Sequence, residues 1–227
     1  MSDEDNLRTE IAIASLEHVP FDGWTQTSLN LGAADRGHSL TTVARLFPDG
    51  LAQWAVVLSS WGDSYMVNRL EAHDLMKMRI RDKIALSVKL RIMADADHRE
   101  ALRRCLSWSA LPLNFPMATK NIANTSNEIW HAIGDQSTDW NYYTKRGFLM
   151  PIYVTTVLYW LSDIADSEGD YPNTWEYLHR RIDNLIYGFS WPRKLKEKMG
   201  VSRNISTYRE LFLNCKERLK DRSQQKV

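Results

Sequence analysis

Apolar residues recur at steps of three and four along most of this 227-residue chain, and the period-two alternation of half-buried strands is scarce. Residues 7–18 carry the first helical pattern, which runs up to Pro20. Asp22-Gly23-Trp24-Thr25 then reads as a turn, with Thr25 placed to cap the next helix. Residues 26–33 and 39–47 read as two more short helices, and the Gly37 between them suits a tight turn. Three short helices with a turn between the last two trace the outline of a helix-turn-helix.

Longer helices follow. In residues 51–70, Trp54, Val57, Leu58, Trp61 and Tyr65 fall at helical steps, and in 75–94 Ile80, Ile84 and Val88 repeat every fourth position. Residues 98–111 read as a helix stopped by Pro112, and the double-proline linker "LPLNFP" leads to another over 117–133, ended by Gly134. Residues 138–165 read as one long helix, with Pro151 placed to kink or restart it. Its core stripe is Leu149, Tyr153, Thr156 and Trp160. Extended backwards, that stripe reaches Arg146 and Tyr142 and leaves Trp140 and Tyr143 on another side. Residues 173–187 carry Trp175, Leu178, Ile182 and Leu185 on one face, before Pro192. The expected fold is all-α: a helix-turn-helix-like three-helix unit over residues 1–47, a larger helical bundle over 48–190, and a basic tail with an amphipathic helix over 191–227.

That tail has its own logic. Ile205, Tyr208, Leu211, Phe212, Cys215 and Leu219 form one stripe, with Thr207 and Glu210 as a capping box and Arg209, Lys216, Arg218, Lys220 and Arg222 around it. Such a helix reads as a membrane-surface element, or as one that packs on the bundle or on a second copy of the chain. Charge favours the membrane. Residues 188–227 hold eleven Lys/Arg against four Asp/Glu, while residues 1–47 hold three against seven, in a chain of net charge +1. Ile205, Tyr208, Leu211, Phe212 and Leu219 are therefore the expected membrane contacts, and a homodimer is left open.

An apolar content of 44% is enough for one good core, and nine tryptophans point to large apolar contacts. Trp54, Trp61, Trp108 and Trp160 lie on bundle helices and are candidates to line a lipid pocket. The longest apolar run, "FLMPIYVTTVLYWL", is too short to cross a bilayer. The acidic start "MSDEDN" is neither a secretory nor a transit signal. Cys105 and Cys215 have no metal or disulfide spacing, and Cys105 is expected to be a buried, inert thiol. The expected setting is reducing: cytoplasmic and peripheral to the membrane in a bacterium, or the matrix side in a mitochondrion.

Two Glu-x-x-His pairs, Glu128/His131 and Glu176/His179, have the form that supplies half the ligands of a di-iron bundle. Both fall on polar helix faces, so no metal is expected. No P-loop, HExxH or GxSxG occurs, and no catalytic group is expected. The stretch "GWTQTSLNLGAADRGHSLTTVARLFPDGLAQW" resembles the N-terminal module of TetR-type regulators. DNA binding needs phosphate neutralisation, and the presumed recognition helix 39–47 carries Arg45 alone. No nucleic-acid partner is expected, and a TetR-type ligand-responsive regulator is the alternative reading.

"GDQSTDWNYYTKR" (Gly134–Arg146) resembles the signature of the coenzyme Q biosynthesis protein nine family. "LEHVPFDGWT", "RIRDKI", "LPLNFP" and "NTWEYLHRRID" fall in the family's order and spacing, over residues 8–187. The resemblance implies a TetR-like fold that does not repress, and a non-catalytic accessory protein of ubiquinone biosynthesis that binds an isoprenoid quinone or similar lipid. It implies a partner, the demethoxyubiquinone hydroxylase, to which any iron would belong. By motif match, the implied docking residues are Asp139, Tyr142, Tyr143 and Arg146, with Trp140 beside them and Ile129 and Trp130 upstream. Trp140 and Tyr142 stand where the family usually has Phe and Trp.

Overall fold

The computed structural model describes residues 3–136, 140–167 and 169–184, and at positions 140 and 141 the backbone only. Among these residues every regular element is helical. Helix α1 (Asp3–Ala14) runs through a 3-10 turn (Ser15–His18) into the short α2 (Val19–Asp22), where Pro20 sits in the first turn rather than ending the helix. Helix α3 (Gln26–Asp35) is capped as its sequence suggests, since the Thr25 hydroxyl accepts from the Ser28 amide. It ends on Gly37 at a φ of 74°, with the His38 amide bonded to the Ala33 carbonyl and the Gly37 amide to the Ala34 carbonyl. That pair of bonds satisfies the last carbonyls and turns the chain into α4 (Leu40–Leu46), which Ser39 caps through the Thr42 amide. Gly32 lets α3 lie directly on the 3-10 turn, because a Cβ there would come within 2.4 Å of Ser15 Cα.

Helix α5 (Leu51–Leu70) belongs to both halves of the molecule. Trp54 is fully buried, stacks on Trp24 at 3.8 Å between ring centroids, and donates its indole N–H to the Ala12 carbonyl at 2.9 Å. One core therefore joins Ile11, Leu16, Val19, Leu29, Val43, Leu46 and Phe47 to α5. Beyond it come α6 (Ile80–Met93), α7 (Arg99–Ser109), α8 (Phe115–Ala132) and α9 (Trp140–Ser162), with α5 packed against α6 and α8, and α8 against α9. Residues 172–184 form α10. Residues up to Asp183 make one compact unit, so the N-terminal helices and the bundle share a continuous interior.

Helix α9 runs through Pro151 without a break. The proline removes the amide that Gly147 O would have accepted from, but both residues are exposed, so water can serve that carbonyl. The far end of α9 is held by side chains. Arg99 donates to the Trp160 and Asp163 carbonyls, and Arg103 to the Leu161 carbonyl. Asp163 then accepts from the Thr174 amide and hydroxyl at the start of α10. Burial pulls the Asp163 carboxyl up, yet the bonds from Thr174, Asn173 and Ile164 together outweigh it and hold the group below the usual carboxylate range.

Candidate functional site

A cavity of about 140 Å³ lies inside the bundle. Its walls come from the 3-10 turn and the loop after α2 (Leu16, Trp24), α5 (Ala55, Leu58, Ser59), α7 (Leu102, Cys105, Leu106, Ser109), α8 (Ala118, Asn121, Ile122, Thr125) and α9 (Tyr153, Val154, Val157, Leu158). The space exists because small side chains face one another: Ala55, Ser59, Ser109, Cys105 and Ala118 come from three helices and none is long enough to fill it. The inner wall is buried, at Trp24, Ala55, Leu58, Thr125 and Val157. The opposite wall, on α7, α8 and α9, is half-buried at Leu102, Leu106, Ala118 and Val154, and Leu158 is 54% exposed.

A buried charge network closes one end. Arg91, 5% exposed, donates through Nε to Asp63 at 2.8 Å and through Nη1 to Asp95 at 2.8 Å, while Thr125 donates to the same Asp63 oxygen at 2.8 Å. Burial works against the guanidinium charge, but Tyr153, Asp95 and Asp63 more than offset it and hold the Arg91 pKa above its ordinary value. Gly62 is what admits this arginine: a Cβ there would lie 2.4 Å from the guanidinium carbon. Burial raises the Asp63 pKa, with Arg91 and Thr125 pulling it back. It pushes the Tyr153 hydroxyl up to about 12 and the Cys105 thiol up to about 12. Cys105 is thus a protonated wall residue with no nucleophilic character.

None of the four tryptophans read from the sequence lines this cavity. Trp54 is core, locked between Trp24 and Ala12. Trp61 packs beside Tyr65, and Trp108 tilts against Trp24 from outside the lining. Trp160 lies under Arg99 and Tyr171, at the corner with α10. Large rings fill space, and a cavity forms where they are absent; the tryptophan that does line it is Trp24. Tyr153, Arg91, Asp95 and His98 also reach it and carried no distinctive sequence signal.

The stretch from Asp135 to Arg146 separates into structural and exposed parts. Arg146 is 12% exposed; it donates to Asn127 at 2.8 Å and Asp135 at 3.3 Å, and lies 3.4 Å from the centre of the Tyr142 ring. Tyr142 is half-buried and donates its hydroxyl to the same Asn127 oxygen at 3.1 Å. Ile129 is fully buried and Trp130 is 4% exposed, under Lys145. Arg146, Ile129 and Trp130 therefore tie α9 to α8 and are largely buried, with the Trp130 indole N–H left without an acceptor among the described residues. Tyr143 is different. It is 69% exposed and meets the Tyr142 ring edge-on at 5.2 Å. Asp139 and the Trp140 side chain lie outside the described residues, as do Ile205, Tyr208, Leu211, Phe212 and Leu219.

The remaining candidates are surface features. Glu176 and His179 are exposed, with Glu176 paired to Arg180 at 3.4 Å, and His131 is exposed on α8. On α4, Arg45 is paired to Glu4 at 3.1 Å, and Arg8 is spent on Asp5 and the Leu46 carbonyl. Among the described residues no helix is long and apolar enough to cross a membrane.

The COQ9 family model matches residues 115–187, which span α8, α9 and α10. Over these residues the chain is similar to the COQ9 family. It is 25% identical over 204 residues to the probable ubiquinone biosynthesis protein coq9, mitochondrial, of Dictyostelium discoideum, covering 87% of this chain and 66% of the relative. It is 29% identical to the mitochondrial ubiquinone biosynthesis protein COQ9 of Homo sapiens, covering 81% and 58%, and 31% identical to that of Xenopus tropicalis, covering 81% and 59%. The chain thus spans about three fifths to two thirds of these relatives' length. A TetR transcriptional regulator from Nitrosomonas europaea superposes with a TM-score of 0.63 at 17% identity, over 80% of this chain and 99% of that one. The chain therefore has the TetR-like, all-α fold that its short helices suggested.

Proposed function

We propose that this chain is a non-catalytic accessory protein of ubiquinone biosynthesis, which holds an isoprenoid quinone or its precursor and presents it to the demethoxyubiquinone hydroxylase. The observation that carries the reading is the apolar cavity in a chain similar to COQ9 proteins. Its walls are mostly hydrocarbon, and its thiol, Cys105, is held protonated. Tyr143, between Asp135 and Arg146, is an exposed aromatic available to a protein partner. The basic stripe of residues 204–222 supplies a membrane contact on which lipid exchange would occur. By analogy with its mitochondrial relatives, a matrix-side membrane surface is the setting in a eukaryote. Lipid extracted from natively purified protein should contain an isoprenoid quinone or precursor; phospholipid alone would contradict the reading.

A DNA-binding role has less support. Residues 1–47 carry three Lys/Arg against seven Asp/Glu, and the basic side chain on α4 already has a carboxylate partner. Gel shift with genomic fragments should give no sequence-selective complex near physiological salt; a selective footprint would restore the regulator reading.

A further inference from the structure

Three large apolar side chains stand out from the turn between α7 and α8. Leu111 is 52% exposed, Leu113 92% and Phe115 60%, all in the stretch "LPLNFP". Single exposed apolar residues are ordinary, but a cluster of them marks a contact surface. The shape of the turn is set from within. The Leu111 amide donates to the Trp108 carbonyl at 3.3 Å, and the Asn114 and Phe115 amides donate to the Leu111 carbonyl at 2.9 and 3.0 Å. The Asn114 side-chain amide donates to the Trp108 carbonyl at 2.9 Å.

Those bonds decide what kind of surface the turn can meet. Pro112 and Pro116 have no N–H, so the Leu113 amide is the one backbone donor of residues 111–116 without a bond among the described residues. A polar group carried unpaired into lipid is costly, and here nearly every donor is already used. A protein interface draws on roughly one hydrogen bond per 100–200 Å², and this turn has little to offer one. Charge points the same way. Residues 101–127 contain Arg103, Arg104 and Lys120 and no Asp or Glu. Glu100 meets Arg103 at 3.8 Å and Arg104 at 3.0 Å, and Lys120 is exposed about one helical turn beyond Pro116. The apolar turn is thus flanked by net positive charge, which an anionic leaflet attracts.

We infer that the α7–α8 turn is a membrane-inserting element, which places Leu111, Leu113 and Phe115 at the boundary between headgroups and acyl chains of an anionic bilayer. A few apolar side chains alone bind a bilayer weakly and reversibly; stable attachment takes a second signal such as a basic segment. The turn supplies the apolar signal and the tail the basic one. The inference therefore rests on the membrane contact proposed for residues 204–222 and adds to it a second point of attachment, on the folded bundle itself.

The test is sedimentation of the full chain with phosphatidylcholine–phosphatidylglycerol vesicles. Leu113→Asp and Phe115→Asp should each lower the partition constant about tenfold or more, the scale of one large apolar side chain returned to water. Their melting curves should match the wild type, since both side chains project from the fold. Met76→Asp controls for the added charge: Met76 is 90% exposed, beyond the end of α5 opposite Trp54, and its replacement should leave binding within about twofold. The loss should persist at high salt, which screens only the electrostatic attraction. Unchanged partition of the Leu113→Asp and Phe115→Asp proteins overturns the inference and leaves the tail contact standing; if those variants instead lose capture of the hydroxylase or self-association, the turn is a protein interface. An equal loss in Met76→Asp overturns it as an effect of charge alone. A wild-type chain that does not sediment with the vesicles overturns the tail contact and this inference together.

Discussion

Tyr143 and Arg146 are three residues apart on α9 and do opposite work. Arg146 is 12% exposed and ties Asn127 and Asp135 of the preceding segment to the Tyr142 ring, whereas Tyr143 is 69% exposed. Arg146→Ala should cost about 2–3 kcal/mol, because it breaks a largely buried charged bond while Asp135 keeps Lys145. Tyr143→Ala should cost under about 0.5 kcal/mol of stability yet weaken capture of the hydroxylase by about 2 kcal/mol. Melting curves beside a pull-down read both effects. Undiminished capture by a folded Tyr143→Ala protein would move the docking face elsewhere. The docking residues that the resemblance implied divide accordingly: Arg146 pairs with Asp135 inside the segment, and Tyr143 faces outward.

At the scale of elements, periodicity placed the helices well because each presents one apolar stripe to the interior. Residues 51–70 became α5 with those bounds, and Thr25 and Pro112 lie at the boundaries they suggested. The departures have local causes. Pro20 and Pro151 look like helix breakers in a linear reading, yet a first-turn position and an exposed Gly147 carbonyl make them tolerable. The capping of α9 by Arg99 and Arg103 was not legible, since it joins residues about sixty positions apart. The cavity was not legible either: it depends on Ala55, Ser59, Cys105, Ser109 and Ala118 facing each other across three helices, a relation that only packing creates. For the element at residues 204–222, the stripe and its basic flanks predict surface binding to anionic bilayers, with each Lys/Arg near the surface contributing about 1 kcal/mol. Truncation after Gly188 should abolish liposome flotation and leave the melting temperature nearly unchanged. Full flotation of the shortened protein would assign the membrane contact to another element.

The whole molecule couples a helix-turn-helix-like unit to a bundle that contains a cavity through α5, and the Trp24–Trp54 stack connects them: Trp54 anchors the N-terminal core and Trp24 lines the cavity. In this chain the TetR-like frame encloses a cavity of about 140 Å³, and its α4 arginine is paired with Glu4 at the surface. The central claim is that this cavity is where lipid resides. Ala118 is half-buried on the cavity wall, and an indole there would occupy much of the space. Native mass spectrometry of the purified wild-type chain and of Ala118→Trp tests the claim most directly. The wild type should carry the mass of an isoprenoid quinone or precursor and the folded, filled variant should not; equal lipid retention by a folded Ala118→Trp protein would contradict it.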